Sequence, residues 1–137
     1  MITSPIKVTA LLSMLVTLLV GCSSAEMEKQ QHLSMVAENR ANLLASELPI
    51  ELGPLSILRA TANQTTIEIM MVYNQDAKGA KPIGQVLNTS ILAYCNNPDT
   101  KKNLDVGLSY RIKMRNSRGQ LMADEIITSQ RCSQLNQ

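Results

Sequence analysis

Thr65-Thr66-Ile67-Glu68-Ile69-Met70-Met71-Val72-Tyr73 is the stretch that decides the fold. Its β-branched and aromatic residues favour a strand, and its period is two. Ile67, Ile69, Met71 and Tyr73 fall on one face; Thr66, Glu68, Met70 and Val72 fall on the other. Leu108 to Arg115 repeats the pattern more sharply, with Tyr110, Ile112 and Met114 opposed to Ser109, Arg111, Lys113 and Arg115. Two half-buried strands of this kind need apolar elements against their inner face.

Working outward, each strand has a hairpin companion. Leu55 to Thr61 precedes the first, across Ala62-Asn63-Gln64, and Gly53-Pro54 marks the turn before it. Gln120 to Ser129 follows the second across Asn116-Ser-Arg-Gly119, although Asp124, Glu125, Ile126 and Ile127 blur its parity. Between the hairpins, Ile83, Val86, Leu87, Ser90, Ile91, Tyr94 and Cys95 recur at helical spacing behind Pro82, which suits a first helical position. Asn97-Pro98-Asp99 starts a short second helix with Asn97 as its cap, and Gly107 suits its end. Asn74 to Lys81 has the charge and glycine of a mobile surface loop. Ahead of the sheet, Leu33, Val36, Ala37, Leu44 and Leu48 share a face of a helix over Gln31 to Leu48, which Pro49 stops. The expected order is α-β-β-α-α-β-β. The fold class is α+β, an antiparallel sheet of about four strands with helices packed on one face.

The N-terminus is of another kind. Lys7 precedes an apolar run from Val8 to Leu19, too short to span a bilayer comfortably, and small residues close it. Leu19-Val20-Gly21-Cys22 resembles a bacterial lipobox. That resemblance implies cleavage before Cys22, lipidation of its thiol, and three acyl chains on it, palmitate among the expected modifications. An ordinary signal peptide with a chance cysteine is the alternative. Ser23 after the cysteine implies sorting by the lipoprotein machinery to the outer membrane, facing the periplasm. Residues 1–21 are thus expected to be a cleaved signal peptide, 22–30 a lipidated tether and 31–137 an α+β domain.

Removing the first 21 of 137 residues leaves 116, enough for one modest core. With no Phe or Trp and three Tyr, that core is built from Leu, Ile, Val, Met and Ala. Loss of Lys7 leaves 12 basic residues against 11 acidic ones, which gives no reason to expect nucleic acid as a partner. Apart from Cys22, the cysteines are Cys95 and Cys132. In an oxidising compartment they read as a disulfide closing a 37-residue separation, worth about 3–4 kcal/mol in the chain-entropy description; two buried free thiols are the alternative.

Catalytic chemistry has little to work with. The single histidine, His32, has no cysteine or histidine neighbours at metal-ligand spacing, and there is no phosphate loop or G-x-S-x-G elbow. Asp99 and Asp105, and the neighbours Asp124 and Glu125, read as solvated charges. The expectation is no enzyme, no metal and no cofactor beyond the lipid on Cys22.

Taken in order, Ala45–Ile50, Leu92-Ala-Tyr-Cys95, Asn97-Pro-Asp-Thr-Lys101, Leu104-Asp-Val-Gly-Leu-Ser-Tyr-Arg-Ile112 and Cys132 form a series. It resembles the outer-membrane pilotins of the type II secretion system, of the AspS/GspS-beta kind. The resemblance implies a sheet with helices on one side, a disulfide between Cys95 and Cys132, and binding of the C-terminal segment of the secretin subunit. It further implies that the lipid carries that subunit to the outer membrane, where the secretin multimerises. The partner segment is helical in that family, so recognition would be helix in groove. If helices cover the Ile67/Ile69/Met71 face, the opposite face carries Met70, Val72, Met122 and Ile126 beside Arg111 and Lys113, and methionines suit an adaptable surface. The alternative is that these methionines are core under a second layer. A lipid-anchored periplasmic inhibitor, or a docking factor for another envelope protein, is the rival function.

Overall fold

The computed structural model describes the backbone of residues 6–135 and the side chains of residues 23–135. Cys22 and the expected signal peptide therefore lie outside the described side chains. The chain divides into two units, residues 1–32 and 33–137. In the first, the backbone is helical from Ile6, and every described side chain, Ser23 to His32, is exposed. The stretch expected as a tether is thus helical. No helix among the described residues is long and apolar enough to cross a membrane.

The second unit holds the end of α1 (Ile6–Ala45) and then β1 (Ile50–Leu52), β2 (Leu55–Asn63), β3 (Thr66–Tyr73), α2 (Ile83–Asn96), α3 (Pro98–Asp105), β4 (Ser109–Asn116), β5 (Leu121–Ile127) and α4 (Ser129–Leu135). The five strands lie side by side in chain order. β1–β2, β2–β3 and β4–β5 are antiparallel, whereas β3 and β4 are parallel. The expected all-antiparallel sheet of about four strands is corrected on both counts. Two helices separate β3 from β4, and such a crossover returns the chain to the end where β3 began, so the next strand runs parallel. β1 escapes a sequence reading because it is three residues long. It is the near arm of a hairpin about Gly53, whose φ of +61° glycine adopts without strain.

The alternation in β3 and β4 is realised residue by residue. Ile67, Ile69, Met71 and Tyr73 are buried, as are Tyr110, Ile112 and Met114, while their neighbours in sequence are half-exposed. Ile127 and Ala60 extend this inner face onto the flanking strands. From α1, Leu33, Ala37 and Ala41 join the same core at successive turns, with Val36, Leu44 and Leu48 packed partly against it. Ala37 and Ala41 have no bulk to hold the helix away. Helix α1 ends at Ala45, earlier than Pro49 alone requires; the following backbone closes as tight turns, Glu47 N donating to Leu44 O and Leu48 N to Ala45 O.

The connections between elements are fixed by named bonds. Asn97 Oδ1 accepts from the N–H groups of Asp99 and Thr100 at 2.9 and 3.0 Å, satisfying two donors at the start of α3. Asn97→Ala should therefore cost about 1 kcal/mol in urea unfolding with the slope unchanged. The loop expected to be mobile, Asn74 to Lys81, is pinned instead. Asp76 N and Ala77 N bond back to Asn74, Ala80 N bonds to Ala77 O, and the buried Tyr73 hydroxyl donates to Lys81 O at 2.7 Å. The C-terminus departs further from expectation. The strand ends at Ile127, and Thr128 caps α4 by accepting from Arg131 N at 3.1 Å. Cys132 sits on that helix, disulfide-bonded to Cys95 at the end of α2.

Candidate partner-binding surface

The sheet has a covered face and an open one. Strand register aligns the open-face residues in rows across the strands. One row runs Thr61, Glu68, Arg111, Ile126; the next runs Arg59, Met70, Lys113, Asp124; the third runs Glu51, Ser56, Val72, Arg115, Leu121. The pairing slips between Met114 and Arg115, so Leu121 and Met122 both stand against Arg115. The six residues expected to meet the partner, Met70, Val72, Arg111, Lys113, Met122 and Ile126, therefore share this face. Ile126 is 53% exposed, Leu121 49% and Met122 39%. Arg59 and Leu121 were not legible as members, because the irregularities in β2 and β5 shift the parity of both strands and leave no signal in composition.

The middle of this face is a charge network. Arg111 grips Asp124 through Nε and Nη2 at 2.6 and 2.7 Å, and Lys113 Nζ donates to Glu68 at 2.8 Å. Arg111 also lies 3.7 Å from Glu68. The hydrogen bond from Lys113 holds the Glu68 carboxyl below its ordinary value, helped by Asn63 and opposed by burial. The Arg111 bond does the same for Asp124. A carboxyl whose native pKa is depressed adds stability above its unfolded value and loses it as pH falls through the native one. Urea midpoints should thus hold from neutral pH to about 5 and fall below about 4. Glu68→Gln should flatten part of that fall.

A concavity of about 540 Å³ lies on the helical side, lined by Leu43, Leu44, Ala93, Tyr94 and Tyr110 with Arg40, Glu47 and Asp99 among its polar walls. The Tyr94 and Tyr110 rings pack 5.4 Å apart. Burial, with Tyr110 beside it, pushes the Tyr94 hydroxyl up to about 12. The buried Asn103 amide donates to the Tyr110 hydroxyl at 2.7 Å. Tyr110→Phe strands that amide and should cost about 1–3 kcal/mol in chemical unfolding. Among the described residues no group of three His, Cys, Asp or Glu side chains is placed to hold a metal ion.

The type II secretion system (T2SS) pilotin, S protein, family matches residues 29–132. The chain belongs to this pilotin family. Two solved pilotins agree over the same domain. The AspS pilotin of the Vibrio cholerae type II secretion system is 58% identical, with a TM-score of 0.74 over 79% of this chain and 99% of that one. The EpsS pilotin of Vibrio vulnificus is 50% identical, with a TM-score of 0.72 over 77% of this chain and 96% of that one. A Pseudomonas aeruginosa protein shares the fold at 16% identity and a TM-score of 0.65. No curated protein matches the chain. The match over residues 29–132 spans helices α2 and α3, the mixed sheet and both cysteines of the Cys95–Cys132 bridge.

Proposed function

We propose that this pilotin is an outer-membrane lipoprotein that holds the C-terminal segment of the type II secretin subunit and carries it to the outer membrane for assembly. The family match over residues 29–132 supports the role, and the lipobox ending at Cys22 supports the anchor. In this reading residues 1–21 are removed, the acyl chains on Cys22 fix the location, and residues 31–137 form the grip. Several acyl chains anchor stably where one binds only marginally. The grip acts by binding, with no enzymatic step and no cofactor.

The surface proposed for the segment is the open sheet face around Met70, Val72, Met122 and Ile126, flanked by Arg111 and Lys113. One observation favours it over the helical groove: the β3–β4 pair is parallel yet covered on one side, and parallel strands are commonly packed on both. Peptide titration against the host secretin's C-terminal segment tests this. Saturable binding by the native protein is expected, abolished in Met70→Asp/Val72→Asp and retained in Leu43→Asp, which alters the groove instead. The reverse pattern moves the site to the groove, and absence of binding by the native protein removes the secretin reading. Cys22→Ala should lose palmitate labelling and membrane fractionation together.

A further inference from the structure

The open sheet face is not electrically balanced. Two of its carboxylates, Glu68 and Asp124, are engaged by Lys113 and Arg111, and a third, the exposed Glu51, stands opposite Ser56 on the short border strand β1. Two further cations stand on the same rows. Arg59 lies beside Met70, and Arg115 beside Val72. Arg115 donates to the carbonyl of Gly119 at 2.8 Å, a neutral partner that leaves its charge uncompensated. Arg59 has no ion pair among the described residues. Four cations thus face three carboxylates around a centre of Met70, Val72, Leu121, Met122 and Ile126, and Arg59 and Arg115 are the two without a carboxylate partner among the described residues.

We infer that this face selects an acidic amphipathic segment, one with an apolar stripe to lie on Met70, Val72 and Ile126 and with Asp or Glu on its flanks to meet Arg59 and Arg115. This rests on the secretin reading for the identity of the segment and adds the chemistry by which it is chosen. A basic flank would meet surplus like charge and be rejected, the repulsive half of specificity. The paired cations have a second use. Arg111 is occupied by Asp124, so it becomes available to a partner carboxylate only by exchange. Asp124 therefore weakens the grip on an acidic segment while keeping Arg111 ordered in its absence.

The test uses the protein purified from membranes in uncharged detergent, titrated by fluorescence anisotropy. Three labelled peptides serve as probes: the host secretin's C-terminal segment, and two designed helices with the same apolar stripe, one flanked by Glu and one by Lys. The Glu-flanked helix should bind at least about tenfold tighter than the Lys-flanked one, with the difference shrinking as salt is raised. Arg59→Gln/Arg115→Gln should remove most of that difference, and Arg59→Glu/Arg115→Glu should invert it. Asp124→Asn should bind the acidic helix several-fold more tightly. Equal affinity for the two designed helices, or a preference untouched by the Arg59/Arg115 variants, overturns the inference. Because the designed helices contain no secretin sequence, failure of the secretin segment alone to bind counts against the secretin reading and leaves the charge selection standing.

Discussion

Reducing the Cys95–Cys132 bridge, or replacing both cysteines by serine, is expected to lower stability by about 3–4 kcal/mol and the thermal midpoint by more than about 10 °C. The bond joins the end of α2 to α4, two elements 37 residues apart with the whole β4–β5 hairpin between them. Without it the unfolded chain regains that loop's freedom. The folded chain also loses the tie on its last helix, which is seven residues long and contributes one buried residue, Cys132 itself. A helix so short does not hold by propensity. Calorimetry with and without reductant measures the loss, and amide exchange should show α4 opening before the strands. An unchanged midpoint would mean that packing of α4 alone closes the domain.

Ile69→Ala should cost about 2–5 kcal/mol, and Met70→Ala, one residue later, less than about 1 kcal/mol. Ile69 is 1% exposed at the centre of the sheet, with Ala60 beside it on β2 and Ile112 on β4. Both neighbours are buried within ordered strands, so the cavity has little room to collapse. Met70 points to the open face, where the lost methylenes were already partly in water. Urea unfolding of the two variants side by side reads the two faces of one strand. Equal losses would mean that the open face is covered in the free protein.

Those two faces were legible because a strand's period is two and its consequence is local. The cap at Asn97, the turn at Asn116–Gly119 and the crossover helix were legible for the same reason: each depends on a few adjacent residues. The cysteine pairing was legible from compartment and count. What was not legible depends on contacts between distant residues. β1 is a strand only because β2 lies beside it, and the slip opposite Arg115 is set by pairing rather than by any residue in β5. The parallel relation of β3 to β4 was available from the intervening helices. Two hairpin-like turns on either side obscured it. Helix α4 had a signal in Thr128-Ser129, a capping residue ahead of a polar run, hidden by the β-rich residues before it. Of the open face, Met70, Val72, Arg111 and Lys113 follow from parity in undisturbed strands. Arg59 and Leu121 lie beyond irregularities and needed the register.

The two borders of the sheet decide whether an extended chain can add to it. A sheet border is a row of unmade backbone bonds that any extended chain can complete. One border here is β1, three residues long, about 10 Å of free backbone. The other is β5, kinked by its extra residue and carrying Asp124 and Glu125. Neither offers a long, flat, apolar rail to a stray strand. Any recognition by this domain is thereby left to side chains, with little main chain free to pair.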